Sequence, residues 1–256
     1  MRLYSKIYGD QKQDIIIMHG LFGMSDNWNS LGKKFSEHYK VHLVDLRNHG
    51  RSPHSKGFDY ELMSQDIFEY IEDNNIYKPI LLGHSLGGKV AMKFAFTHSN
   101  KIEKLIVVDI APRRYNTDFF QTLLQTLSRL PLDKITNRED IEKILSETYN
   151  DRGMRLFLMK NLYRNEKKEF EWRFNIDVLL EKVHNIQQAD FIKGICNVPT
   201  YFIKGGNSNY ITSKDELIIN QHFSDFSIVT IHEAGHWVHA EKPEKFYNEV
   251  LRLCLE

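Results

Sequence analysis

Ser85 sits at the centre of Gly83-His84-Ser85-Leu86-Gly87, a GxSxG pentapeptide. A serine hydroxyl attacks a carbonyl only when a base takes its proton, so the chemistry this motif suggests is acyl transfer through a covalent intermediate. Ile80-Leu81-Leu82 ahead of it reads as a buried strand, and Val90, Ala91, Phe94 and Ala95 after it recur at helical spacing. A serine held on so sharp a strand-to-helix turn needs neighbours without side chains, which Gly83 and Gly87 supply.

A second glycine-containing turn, His19-Gly20-Leu21-Phe22-Gly23, ends an earlier apolar run. Alone it reads as an ordinary connection. Beside a serine elbow, its backbone N–H groups become candidates for holding the negative charge of a tetrahedral intermediate. We expect Leu21 N–H and Leu86 N–H to be the oxyanion donors, with Phe22 as the alternative to Leu21.

The base must come from twelve histidines. Only a histidine in a loop at the carboxyl edge of the sheet can reach Ser85, which favours His236 over His222 and His184; His232 stays close to the last strand and His239 falls in the next helix. A rival reading exists, because His232-Glu233-Ala234-Gly235-His236 matches HExxH letter for letter. Zinc peptidase chemistry needs that motif on a helix, yet a β-branched run precedes it and Gly235 weakens a helix there. We therefore expect no metal. Asp109 ends the apolar run Leu105 to Val108 at the same sheet edge as Ser85 and is the candidate acid, a plain capping role beside Pro112 being the alternative. Asp45, Arg47 and His49 form a polar loop in which Asp45 and Arg47 are expected to satisfy each other and the loop backbone rather than act on substrate.

These residues need a frame. Leu3 to Tyr8 and Asp14 to Met18 read as two strands joined by a tight turn, followed by a helix through Trp28, Leu31 and Phe35 and a strand at Val41 to Val44. A helix from about Tyr60 leads to the elbow strand. Strand and helix alternate, which predicts a parallel sheet with helices on both faces. From about Arg113 to Ala189 apolar residues recur at helical intervals, so we expect residues 113–189 to form a helical cap, with 1–112 and 190–256 forming the core. Trp172 and Phe174 either line a pocket below the cap or fill the cap's own core. The sheet resumes at Pro199 to Lys204, a capping box with Ser213 at the cap and Glu216 three residues later opens a helix, and Ser227 to Ile231 is the last strand.

The chain has 256 residues, with Lys+Arg and Asp+Glu at 34 each. Zero formal charge offers no electrostatic case for a nucleic-acid or anionic-membrane partner. Two cysteines make no disulfide framework, and the N-terminal residues have no apolar core like that of a signal peptide, so a cytoplasmic protein is expected. No apolar stretch approaches the ~20 residues that span a bilayer.

HGLFG, DLRNHGRS, GHSLGGK, the DIAP segment, GGNS and GHWVHAEKP together resemble the α/β-hydrolase superfamily, and more closely its small bacterial YbfF-type esterases. The motifs run from His19 to Pro243 but do not specify the cap. The resemblance implies an eight-stranded, mostly parallel sheet with a helical cap after the sixth strand. It also implies a serine hydrolase without cofactor, acting on small-molecule esters or acyl-CoA thioesters of short acyl groups. Most of the superfamily carries its acid after the seventh strand, where this chain reads Gly206-Asn207-Ser208-Asn209, with no carboxylate before Asp215. The acid is therefore assigned to Asp109, with Ser208 as a hydrogen-bonding fourth member. A catalytically weak ligand-binding protein on the same fold is the reading from a different class. Oligomeric state is not legible.

Overall fold

A computed structural model describes residues 1–255. In chain order its strands are β1 (Ser5–Tyr8), β2 (Asp14–Met18), β3 (Lys40–Val44), β4 (Ile80–His84), β5 (Lys104–Val108), β6 (Leu162–Arg164), β7 (Phe170–Trp172), β8 (Thr200–Gly205) and β9 (Phe226–Ile231). The helices are α1 (Asn29–Phe35), α2 (Tyr60–Asp73), α3 (Leu86–Thr97), α4 (Asp118–Ser128), α5 (Arg138–Ser146), α6 (Arg152–Met159), α7 (Ile176–Lys182), α8 (Ser213–His222), α9 (Val238–Glu241) and α10 (Pro243–Leu255). The main sheet has the order β1-β3-β2-β4-β5-β8-β9, parallel except for β1.

Side-chain alternation explains why the central strands are apolar throughout. Ile16, Met18, Leu81, Leu105 and Val107 enter one core with Met63 and Ile67 of α2 and Val90 and Phe94 of α3. Ile15, Ile17, Ile80, Leu82, Ile106 and Val108 enter a second core with Phe35 of α1 and Phe246 and Val250 of α10. A strand covered on both faces has no polar side to present, so its hydrophobic run is continuous.

Expectations about the sheet, the insertion and the α8 cap are corrected. The sheet has seven strands among the described residues, not eight, and the inserted segment follows the fifth strand, not the sixth. One edge is closed by β1 alone, and the insertion is itself flanked by β5 and β8, which pair directly in the main sheet. The strands β1 and β2 are separated by β3, because β1 pairs antiparallel with β3 while β2 pairs with β3 in parallel. The capping box of α8 stands one residue earlier than expected. Thr212 is the cap and Asp215 the third helical residue, whose Oδ2 accepts from Thr212 N–H at 2.8 Å.

The insertion contains α4 to α7 and a short antiparallel hairpin, β6 with β7. The hairpin accounts for the charged run Arg164 to Arg173, and Lys168 takes φ 64° at its turn. Trp172 and Phe174 stack at 5.1 Å and are both buried, and Phe174 also packs on Phe22 of the body at 5.2 Å, so the two rings belong to the core that the insertion shares with the body. Asn161 ties this segment to the body by donating from Nδ2 to Phe22 O at 2.7 Å. No helix among the described residues is long and apolar enough to cross a membrane.

Candidate active site

Register brings the first two groups together. His84 at the end of β4 pairs with Val108 at the end of β5, so Ser85 and Asp109 leave the sheet side by side. Each bends sharply as it leaves: Ser85 has φ 51° and ψ −113°, and Asp109 has φ 51°. Such backbone is costly for a side-chain-bearing residue and persists only where its surroundings impose it. Ser85 N–H is held by Val108 O at 2.9 Å and Asp109 N–H by Ile203 O at 2.8 Å. The turn at Ser85 also leaves no room beside it. A Cβ on Gly83 would stand 2.2 Å from Gly87 O, and one on Gly87 would stand 2.5 Å from Met18 O.

Asp109 is fully buried and its carboxylate accepts three hydrogen bonds. Gly205 N–H donates to Oδ1 at 3.0 Å, Ser208 Oγ to Oδ2 at 2.5 Å, and His236 Nδ1 to Oδ2 at 2.7 Å. A buried carboxylate is tolerable only when its oxygens are satisfied in this way. Because Nδ1 donates, the lone pair of neutral His236 lies on Nε2, the nitrogen that can take a proton. Ser85 and His236 line one cavity.

The loop carrying His236 is clamped on several sides. Tyr210 stacks on the imidazole at 3.8 Å and 17°. His84 Nε2 donates to His236 O at 2.9 Å. Glu241 accepts from Gly235 N–H at 2.7 Å and from Trp237 N–H at 3.3 Å. His232 to His236 thus run through a turn after β9 instead of along a helix, with Glu233 at φ 62° and ion-paired to Lys242. Burial drives the pKa of His84 well below its usual value, and that of His239, packed on it, to about 3.

His19 plays a similar supporting part for the Gly20 to Gly23 turn. Its Nδ1 donates to Gly20 O at 2.8 Å and its Nε2 accepts from Leu46 N–H at 3.0 Å, which uses both ring nitrogens in the neutral state. Burial lowers its pKa to about 4. Phe22 takes φ 61° in this turn. Leu86 is the first residue of α3, so its N–H has no acceptor within the helix, whereas the next amide, Gly87 N–H, is taken by His19 O at 3.1 Å. Leu21 and Leu86 both border a small chamber beside Ser85.

The cavity holding Ser85 and His236 has a volume of about 180 Å³. Its walls are largely apolar, with Phe120 and Leu123 from α4, Phe157 and Leu158 from α6, and Trp237. Side chains of α4 and α6, within the inserted segment, thus form part of its wall.

Asp215 lies elsewhere, ion-paired to Arg113 at 2.6 Å and capping α8. The expected mutual pairing of Asp45 and Arg47 is not seen. Asp45 accepts from Ser25 N–H at 2.5 Å and Arg51 N–H at 2.8 Å, while Arg47 grips Asp66 with two bonds of 2.6 and 2.7 Å. A neighbour two positions away on a tight loop points elsewhere, and Asp66 on α2 presents its whole carboxylate to the guanidinium. Tyr210, His84 and Glu241 were not singled out from sequence as part of the site. His84 and Glu241 do lie inside motifs quoted above, GHSLGGK and GHWVHAEKP, and Tyr210 stands two residues past GGNS.

Comparison with known proteins adds independent information. A family model described as alpha/beta hydrolase fold matches residues 15–243. The chain is 32% identical to Esterase YbfF of Escherichia coli, covering 93% of this chain and 91% of that one. It is 35% identical to the sn-1-specific diacylglycerol lipase ABHD11 of Mus musculus, covering 92% and 79% respectively. A solved structure titled marine microorganism esterase superimposes with a TM-score of 0.94 at 38% identity, covering 98% of each chain.

Proposed function

Since the chain belongs to the α/β-hydrolase family and is a carboxylic ester hydrolase of the esterase/lipase type, we propose that it works through an acyl-enzyme on Ser85, with His236 as base, Asp109 as acid, and Leu21 and Leu86 as oxyanion donors. The observation that carries this reading is the 2.7 Å bond from His236 Nδ1 to the fully buried Asp109 carboxylate, made by a histidine that shares its cavity with Ser85.

Ser85 Oγ attacks the carbonyl carbon as His236 Nε2 takes the hydroxyl proton. Asp109 orients the ring and stabilises the imidazolium that forms. The carbonyl oxygen gains a full negative charge, which the Leu21 and Leu86 amides receive. Collapse of the intermediate breaks the bond to the alcohol, and His236 returns its proton to the departing oxygen. Water then attacks the acyl carbon through the same base, releasing the acid and restoring Ser85. Ser208 donates to the same Asp109 oxygen as His236 and acts as a positioning residue.

The segment 113–189 serves as a lid in this scheme, since α4 and α6 cover the cavity. A cavity of about 180 Å³ is comparable to the ~150 Å³ that encloses benzene, which supports short or compact acyl groups. Thioesters of such groups present the same carbonyl and fall within the same proposal.

Intact mass after incubation with a fluorophosphonate tests the reading. One adduct on the wild type and none on Ser85→Ala is expected. A folded wild type that forms no adduct would overturn the acyl-enzyme.

A further inference from the structure

A second, smaller chamber of about 60 Å³ also borders Ser85. It shares Ser85, Leu21, Phe120 and Tyr210 with the apolar cavity, but adds the polar side chains of Lys89, Asn116 and Thr117 to an otherwise largely apolar lining.

Lys89 is the unusual member. It lies one turn along α3 from Ser85, is 1% exposed, and has no carboxylate partner among the described residues. One hydrogen bond, from Nζ to Arg113 O, uses one of its three protons. The rings of Tyr115 and Phe191 lie 5.2 and 5.7 Å from Nζ. Nearby hydroxyls are committed elsewhere, Tyr60 OH to Ile186 O at 2.8 Å and Tyr115 OH to Tyr210 O at 2.5 Å. Lys93, the next turn of the same helix, is ion-paired to Glu61. A buried ammonium is stable only when paired, and without a partner it moves toward neutrality. Burial accordingly lowers the Lys89 pKa to about 7.

We propose that Lys89 is an anion-recognition residue: the small chamber accepts a carboxylate carried by the ester itself, a few bonds from the carbonyl that Ser85 attacks. The preferred substrates are then esters with an anionic substituent on the short side and an apolar group in the larger cavity. This rests on the ester-hydrolase reading above. A carboxylate there would supply the missing counter-ion and take up the two free protons of Nζ.

Two ester pairs separate the sources of that carboxylate. Hexyl hemisuccinate against hexyl 4-methylpentanoate places it on the acyl side, and carboxymethyl hexanoate against isobutyl hexanoate places it on the alcohol side. In one pair the wild type should favour the charged ester in kcat/KM, and Lys89→Met should reduce that charged-to-neutral ratio by about tenfold or more, the effect of one charge-assisted hydrogen bond. Charged-to-neutral ratios that are the same in wild type and Lys89→Met overturn the proposal. A wild type that hydrolyses neither neutral ester counts against the esterase reading alone. The amide analogues of both pairs, titrated by calorimetry into the wild type, then decide the subsite without any variant: tighter binding of one charged amide upholds it, and equal or weaker binding of both overturns it.

Discussion

Ser85 and Asp109 leave adjacent strands with the same φ of 51°, so candidate nucleophile and candidate acid are both delivered by positive-φ turns at one sheet edge. The two turns are not independent. The carbonyl of Val108, the residue before Asp109, accepts from Ser85 N–H, and Asp109 N–H is in turn held by β8.

Replacing Asp109 by Asn should lower kcat by about 10⁴, because an amide that donates to Nδ1 would select the wrong tautomer of His236. Asp215→Asn should leave kcat nearly unchanged and cost about 1 to 2 kcal/mol of stability, since Asp215 caps α8 and pairs with Arg113. Steady-state kinetics and urea unfolding of both variants check this, and the reverse pattern would move the acid to Asp215.

Ser208→Ala removes one of three donors to the Asp109 carboxylate. Loss of a hydrogen bond to a charged group, about 1.5 kcal/mol, predicts roughly tenfold lower kcat with little change in KM. A change confined to KM would instead make Ser208 a substrate contact.

Gly83→Ala places a methyl group 2.2 Å from Gly87 O, and both partners are backbone. Relief requires moving the Ser85 turn. We expect a loss of about 3 kcal/mol or more, read as a lower urea midpoint or as failure to fold. An alanine variant with wild-type stability and activity would contradict the close approach of these turns.

Stability should fall steeply in mild acid. Burial depresses the pKa of His19 to about 4 and those of His49 and His239 to about 3. In the unfolded chain each titrates near ~6.5, so below that pH the unfolded state binds more protons than the folded one. Their contribution is complete above about pH 6.5 and is lost as pH falls through about 4 to 3, with a slope approaching ~4 kcal/mol per pH unit from three protons. Urea midpoints at about pH 7, 6 and 5 measure it. A flat profile across that range would mean that these rings are not held neutral.

Phe157 of α6 lines the apolar cavity and packs near Trp237 at 5.8 Å. Phe157→Ala should enlarge the cavity and shift the preference among ester substrates toward longer acyl chains, with a chain-length series as the readout. An unchanged series would place the acyl group elsewhere.

Much of the frame was legible because its causes are local. The continuous apolar runs of β4 and β5 follow from burial on two faces, and the glycines around Ser85 follow from a turn that no Cβ can enter. Residues 113–189 read as helical because amphipathic spacing repeats every turn, although the hairpin β6-β7 escaped notice for want of length. The strand count and the place of the insertion came from resemblance alone and were corrected. The order β1-β3-β2 was hidden for a different reason. Two strands close in sequence can be separated by a third that arrives later, and no local pattern records it.

What the sequence by itself determined is the set of turns that carry reactive groups: the serine elbow, the Gly20 to Gly23 turn, and loops after β5 and β9 that end on one sheet edge. Periodicity and turn chemistry act over a few residues, so they can be read in line. Pairing was decided by tertiary structure. Asp109 meets His236 and Asp215 meets Arg113, Arg47 takes Asp66 and leaves Asp45 to backbone amides, and Lys89 is left without a counter-ion. Each outcome depends on which charges come within about 3 to 4 Å after the chain has folded. That distance is set by sheet register and helix packing across as many as 127 positions, as for Asp109 and His236.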